Sequence, residues 1–285
     1  MSEYIMQTKN LCYSYSDGTK ALDDINITIK RGQTTAILGG NGAGKTTLFL
    51  NLNGVLNPSA GKVVYDGKTI EYSKKGLTAL RQAVGLVFQD PDHQLFSASV
   101  YQDVSFGPLN LRLSDEIVRA RVENSLKKTG IYDLKDKPTH CLSFGQKKRV
   151  AIAGVLAMEP EVLVLDEPTA GLDPKGVGEI MRLLKGMQQD LGFSVIIATH
   201  DVDIVPLYCD YVYVLDEGKV ALEGSPNEVF AKAEMLRNLH LRLPRIAHLM
   251  EILRKNDDFE NGDFASTISQ ARKEIKTWRE NLRLS

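Results

Sequence analysis

Along the first ninety residues the apolar positions follow a strand rhythm. In Asp24–Ile29, Ile25, Ile27 and Ile29 point one way with polar residues between them, the period of a half-buried strand. Thr34–Leu38 reads as a short strand running straight into a cluster of glycines, and Thr46–Asn53 as the helix that follows it. Gly61–Gly67 resembles a short hairpin arm, and Val84–Phe88 a buried strand ending at Gln89. From Pro91 to about Gly130 strand patterns disappear. Val100–Leu111 and Asp115–Lys128 have helical spacing, the second through Ile117, Val118, Arg121, Val122, Ser125 and Leu126. A further helix is expected from Ser143 to Met158, where Ser143 and Gln146 form the S-x-x-Q of a capping box. Strand and helix then alternate: Val162–Leu165, a helix over Pro174–Leu191, Ser194–Thr199, a short helix, Tyr211–Leu215, Lys219–Glu223 and a helix over Pro226–Lys232. That alternation predicts a parallel sheet with helices on its faces, carrying a helical insertion over residues 91–158.

The last fifty residues have a different pattern. Ile246, Leu249, Met250 and Leu253 make one apolar helical face, and Asn256–Asp263 is a polar break. Ile268, Ala271, Ile275, Trp278 and Leu282 then recur in 3-4-3-4 spacing, the narrow stripe of a helix packed on another helix. The stripe would face either the rest of this appendage or a second subunit. The expected division is residues 1–235 as one large domain and 236–285 as a C-terminal helical domain.

Composition changes this picture little. Of 285 residues, 43% are apolar and 25% charged, which suits a globular chain rather than a disordered one. A formal net charge of -1 gives no general attraction to nucleic acid, so none is expected as a partner. Cys12, Cys141 and Cys209 are scattered without a C-x-x-C spacing, which suits free thiols in a reducing compartment. The N-terminus carries no secretion signal, and the longest apolar run, Val150–Met158, is far too short to cross a bilayer. His93, His140, His240 and His248 show no metal-ligand spacing and are expected at the surface or in packing.

The chemistry is concentrated in a few segments. Gly39-Gly40-Asn41-Gly42-Ala43-Gly44-Lys45-Thr46 matches the phosphate loop G-x-x-x-x-G-K-[ST]. Gly39, Gly42 and Gly44 let the backbone turn sharply so that its amides face phosphate oxygens. Lys45 offers a point charge to the β- and γ-phosphates, Thr46 a hydroxyl to Mg²⁺, and Thr47 begins a helix whose dipole favours the anion. Val162–Glu167 is an apolar strand ending in two acids: Asp166 placed to hold the magnesium, Glu167 placed to polarise an attacking water as general base.

With Leu142-Ser143-Phe144-Gly145-Gln146 followed by VLVLDEPTAGLD, the chain resembles the ATP-binding cassette (ABC) ATPases over about Met6–Lys232. The resemblance implies an α/β fold: a P-loop NTPase (RecA-like) parallel core with an N-terminal antiparallel β subdomain, an inserted helical subdomain and a small helical C-terminal appendage. It implies ATP and Mg²⁺, with Tyr15 stacking on adenine (Tyr13 as the fallback), Gln89 coordinating Mg²⁺, Asp173 at a dimer seam and His200 at the γ-phosphate. Ser143, Gly145 and Gln146 would serve the nucleotide held by a partner's phosphate loop. The common motif has glycine where this chain has Phe144. Gln89–Leu111, through Gln89, Pro91, Gln94, Val100, Asp103–Val104 and Phe106–Pro108, resembles the cobalt-type ATPases of energy-coupling-factor importers. That implies a second ATPase subunit (homodimer or paralogous heterodimer), a transmembrane coupling subunit, a substrate-binding membrane subunit, and a peripheral place on the cytoplasmic face of the cell membrane. The substrate would be cobalt or nickel ions; the alternatives are a vitamin importer of the same type or a soluble ABC ATPase acting on the ribosome or DNA. Glu167 and His200 disfavour a non-hydrolysing nucleotide switch, and a simple phosphate-loop kinase has no use for Leu142–Gln146.

Overall fold

The computed structural model describes residues 2–256, 259 and 264–282. In chain order it contains β1 (Tyr4–Ser14), β2 (Lys20–Ile25), β3 (Thr28–Lys30), β4 (Thr34–Leu38), α1 (Lys45–Leu52), β5 (Ala60–Tyr65), β6 (Lys68–Thr69), α2 (Lys74–Ala83), β7 (Val84–Val87), α3 (Val100–Asn110), α4 (Asp115–Lys128) and α5 (Phe144–Leu156). There follow β8 (Val162–Asp166), α6 (Pro174–Leu191), β9 (Ser194–Ala198), α7 (Val205–Tyr208), β10 (Tyr211–Asp216), β11 (Lys219–Gly224), α8 (Pro226–Phe230), α9 (Ala233–Asn238), α10 (Arg245–Asn256) and α11 (Ile268–Leu282).

Two sheets form the frame. One has the order β11-β10-β4-β9-β8-β7, with every neighbouring pair parallel except β10 and β11. Its central strands β4, β8 and β9 are buried at every position, as expected for a sheet covered on both faces. The other is antiparallel, β2-β1-β5-β6, with β3 also paired to β1. On one face of the parallel sheet, Ile152 of α5 and Ile180, Met181 and Leu184 of α6 pack onto Leu163, Leu165 and Ile197. On the other, Leu48, Phe49 and Leu52 of α1 meet Val164 and Ile196 together with Ile5, Leu22 and Ile25 of the antiparallel sheet. The insertion has its own small core, in which Val104, Val118, Val122 and Leu126 close on Val150 and Ala153 of α5.

Local chemistry sets the element ends. Asp173 caps α6 by accepting from the Gly176 amide at 2.7 Å, Pro174 occupies the first turn, and Gly192 closes the helix in the left-handed conformation. The capping box at the start of α5 is present: the Gln146 amide donates to Ser143 Oγ at 3.4 Å, and the Ser143 amide donates to Gln146 Oε1 at 3.0 Å.

Several expectations need adjusting. Ile25, Ile27 and Ile29 are all buried but do not share one strand, because the chain breaks between β2 and β3 after Asp24 adopts φ +57°. Helix α2 is not predicted by the periodicity of the chain. Its apolar side is narrow, and its start depends on Ser73, whose hydroxyl accepts from the Gly76 amide at 3.1 Å. In α10, Ala247 and Met250 are buried and Ile246 and Leu253 half-buried, while Leu249 is exposed. The expected face does pack, with Ile246, Met250 and Leu253 in the appendage core, and Ala247 adds a second contact by joining the large core with Leu236 and Leu243. Packing therefore continues past residue 235. In α11, Ala271 is buried and Trp278 meets Phe259 at 5.3 Å between ring centroids, whereas Ile268 and Ile275 are exposed. Phe259 is buried in the appendage core although it falls in the expected polar break. The break's residues 257, 258 and 260–263 and the Leu282 side chain lie outside the described residues.

Candidate nucleotide site

The parallel strands end together. Val87 of β7 lies opposite Leu165 of β8, and Asp166 opposite Ala198 of β9. The loop after β4, the acids at the end of β8, the residues after β9 and Gln89 after β7 therefore converge on one edge of the sheet. This is the edge where open α/β sheets place their ligands.

The Gly39–Thr46 loop folds tightly here. Gly39 has φ +152°, and a Cβ on it would lie 2.5 Å from the Leu215 carbonyl oxygen; Gly44 has φ +100°, and a Cβ would lie 2.6 Å from the Ala21 carbonyl oxygen. Only glycine fits either position. Lys45 Nζ donates to the carbonyl oxygens of Gly39 (2.8 Å) and Gly40 (2.9 Å), drawing loop carbonyls toward the ammonium. Thr46 Oγ1 donates to Asp166 Oδ2 at 2.7 Å, which joins the end of the loop to the end of β8. A hydroxyl and a carboxylate so close together form an all-oxygen donor set of the kind that suits a hard divalent cation. Thr46, Gln89, His93, Phe144, Asp166 and Gly171 line a cleft of about 670 Å³ beside this pair.

Glu167 follows Asp166 in the left-handed region, φ +48°, a conformation that costs a non-glycine residue on the order of 1–2 kcal/mol. Its backbone is held on both sides. Its amide donates to the Ala198 carbonyl (3.0 Å), and its carbonyl accepts from the Ala170 amide (3.1 Å) and from Lys148 Nζ (2.8 Å). The buried carboxylate meets His200 through one oxygen: Oε2 lies 2.8 Å from Nδ1 and 3.3 Å from the His200 amide. The His200 side chain is 72% exposed, so the rest of its ring faces outward. Lys148 is 2% exposed, and burial pushes its ammonium down to about 8 despite nearby acids.

Tyr15 donates to or accepts from Thr47 Oγ1 at 2.9 Å and meets Tyr13 edge-on at 5.1 Å. Tyr13 packs on the core, whereas Tyr15 keeps an exposed ring beside α1. Of the two, Tyr15 has a face available for stacking.

The Leu142–Gln146 loop is arranged differently. Ser143 is exposed, and Ser143 and Gln146 satisfy each other in the capping box. Asp173 uses its carboxylate as the cap of α6. Phe144 turns back onto its own chain: its ring abuts Gly171, where a Cβ would lie 2.7 Å from Cε1, and Lys148 Nζ stands 5.4 Å from the ring centroid. So Thr46, Asp166, Glu167, His200 and Gln89 gather at one edge, while Ser143, Gly145 and Asp173 sit on an outward-facing surface. His93 on the cleft wall and Lys148 beneath Glu167 were not singled out as site residues by sequence. A lone histidine has no readable signal, and a lysine in K-K-R looks solvent-exposed until the fold buries it.

A family model for ABC transporters matches residues 22–170. The chain is 63% identical over 282 residues to the energy-coupling factor transporter ATP-binding protein EcfA3 of Clostridium perfringens, covering 99% of each. It is 53% identical to the energy-coupling factor transporter ATP-binding protein EcfA of Methanocaldococcus jannaschii, covering 95% of this chain and 97% of that protein. Among solved structures, cbiO1 from Clostridium perfringens, part of the ABC transporter complex cbiONQ, superposes with a TM-score of 0.77 at 66% identity, over 88% of this chain and 100% of that one. The ATP-binding cassette MJ0796, in a dimeric post-hydrolysis state bound to ADP and Pi, gives a TM-score of 0.70 at 28% identity, over 78% and 99%.

Proposed function

The chain belongs to the ABC transporter family as an ATP-binding subunit of the energy-coupling-factor type, and we propose that it is one of two cassettes driving a membrane importer of cobalt or nickel ions. It is an ATP hydrolase whose hydrolysis is coupled to transport. The observation that carries the site assignment is the pairing of Thr46 with Asp166 and of Glu167 with His200 along one sheet edge.

Lys45 and the loop amides of Gly39–Thr47 bind the phosphates, and Tyr15 stacks on the adenine. Thr46, Asp166 and Gln89 would hold Mg²⁺, which when bound draws negative charge from the phosphate oxygens. Glu167 has Oε2 engaged by His200, which leaves Oε1 to accept a proton from the attacking water. His200 presents its exposed ring edge to the γ-phosphate. The outward donors Ser143 and Gly145, with Gln146 ordering them, serve a nucleotide on a second cassette, and Asp173 lies at that seam. Each ATP would then be shared between Lys45 of one chain and Ser143 of the other, and loss of the γ-phosphate would loosen the pair.

Residues 1–235 form the cassette, whose core also takes in Leu236, Leu243 and Ala247, with the 91–158 insertion facing the membrane subunits, and the rest of 236–285 assists dimerisation. Exposed apolar side chains support the docking surface: Phe96 and Phe106 meet edge-on at 4.7 Å, with Leu109 also exposed. Gln94 accepts from the Phe88 amide (3.1 Å) and donates to the Leu86 carbonyl (3.4 Å), bracing the loop that carries Gln89. No helix among the described residues is long and apolar enough to cross a membrane, which supports peripheral attachment through a coupling subunit and a substrate-binding subunit. The metal substrate rests on the Gln89–Leu111 resemblance and on the likeness to cbiO1.

Extraction from membranes in mild detergent should bring both membrane subunits with the chain. Cells carrying Lys45→Ala should lose cobalt or nickel accumulation. If metal uptake persists while uptake of a vitamin fails, the substrate reading is wrong and the ATPase assignment stands.

A further inference from the structure

Lys148 lies in the second turn of α5 and is a buried cation that the mechanism above does not use. An ammonium inside a protein is costly unless it is paired, so a lysine held at 2% exposure needs a specific partner. Its Nζ donates at 2.8 Å to the carbonyl oxygen of Glu167. That residue is also the one whose backbone is forced to φ +48° and whose carboxylate meets His200. Burial works against its charge, and the negative charges of Glu167, Asp90 and Asp166 partly offset that. On its other side Nζ faces the Phe144 ring at 5.4 Å, within cation–π range. Phe144 in turn rests on Gly171, four residues beyond Glu167.

We propose that Lys148 is a positioning residue for hydrolysis: it fixes the Glu167 backbone so that the carboxylate is aimed, and through the Phe144 ring it ties the Leu142–Gln146 loop to the base of the same chain. The proposal rests on Glu167 being the base. It has a consequence for a two-cassette assembly. The loop that touches the partner's nucleotide is then mechanically joined, within one chain, to the base acting on that chain's own nucleotide. Phe144 supplies the link because a glycine in its place would leave Nζ without the ring above it.

The test uses steady-state ATP hydrolysis by the full chain together with direct binding of a fluorescent ATP analogue. Lys148→Met should lower kcat roughly 10–100-fold, the scale of a misplaced catalytic group. The KM for ATP and the analogue affinity should stay within about two-fold, because the phosphate loop is untouched. Lys148→Arg, which keeps a charged donor of similar volume, should recover much of the lost kcat. In a Glu167→Gln background, Lys148→Met should add no further loss, since a residue acting through the base has nothing left to position. Phe144→Ala should lower kcat several-fold by the same route, a modest version of that misplacement.

A kcat for Lys148→Met within two-fold of the parent overturns the proposal. A parallel fall of kcat, nucleotide affinity and melting temperature, unrepaired by Lys148→Arg, also overturns it by showing a purely structural role. If Lys148→Met does not fold, the exposed Phe144→Ala change decides, and an unchanged kcat there rejects the link. Near-normal turnover by Glu167→Gln alone would instead reject the base assignment, a separate result.

Discussion

The Gly39–Thr46 edge and the Leu142–Gln146 loop, which the proposed function assigns to the same ligand, are built in opposite ways. At the first, the functional side chains have partners inside the chain: Lys45 on the loop carbonyls, Thr46 on Asp166, Glu167 on His200. They sit at the ends of strands buried on both faces, so their positions are set by the stiffest part of the molecule. At the second, Ser143 and Gln146 bond to each other at the exposed start of a helix. A phosphate group would find at the first edge a cradle, a cation and a carboxylate pair; at the second, a hydroxyl and helix amides pointing outward. On the proposed reading, one chain holds the reacting groups in one place and only donors in the other. That is what a shared site requires.

The sharpest way to break the comparison is at the first edge. Glu167→Gln should reduce hydrolysis by two to three orders of magnitude, in the range for loss of a general base, while ATP binding survives and an ATP-bound dimer accumulates. Rapid hydrolysis and size-exclusion chromatography with ATP check both halves. Lys45→Ala should instead lose binding and hydrolysis together.

Next comes the second edge. Ser143→Arg should abolish hydrolysis while a single chain still binds nucleotide, because its phosphate loop is unaltered. Mixing it with Lys45→Ala chains should give dimers with at most one intact composite site. If either variant alone hydrolyses normally as a monomer, the shared-site reading fails.

The stiffness of the first edge can be tested without touching its chemistry. Leu163→Ala in β8, fully buried, should cost about 2–5 kcal/mol of stability, measured by urea denaturation. Removing the cap hydroxyl of α5 with Ser143→Ala should cost less, about 1 kcal/mol.

The smallest effect is expected in the appendage. Arg237 of α9 donates to Glu251 of α10 and holds that carboxyl below its ordinary value. A depressed carboxyl pKa stabilises the fold above the unfolded value of 4.5 and loses that contribution as the pH falls through the folded value. Glu251→Gln should remove this acid-dependent part, at under ~1 kcal/mol for a surface pair. Melting curves at pH 7 and pH 4 would show it.

Much of this molecule is carried by local pattern. The phosphate loop is legible because glycine, lysine and threonine at fixed spacing have few other uses, and the loop does lie between a strand and a helix. The extents of α4 and α6 follow from spacing, caps and the Pro174–Gly192 pair, and the α5 cap from Ser143 and Gln146. Glu167 was expected from the two acids that follow an apolar strand, and His200 only from the family resemblance; the structure places them just past the ends of β8 and β9 and in contact. Other features depend on what the fold brings alongside. The narrow apolar side of α2, the contact of Ala247 in α10 with the large core and the burial of Phe259 depend on partners distant in the chain, and no periodicity encodes those.

The same division holds within the site. Residue type and spacing alone determine that a phosphate loop, two carboxylates after a strand and a capped donor loop exist, because each is built by a few consecutive residues. Only the tertiary structure decides that Thr46 meets Asp166 at 2.7 Å, that Phe144 rests on Gly171, and that Lys148 is buried beneath Glu167. Those contacts join segments separated by up to 120 residues. Their reason is the parallel order of the sheet, which places the ends of β4, β8 and β9 side by side and turns separate motifs into one site.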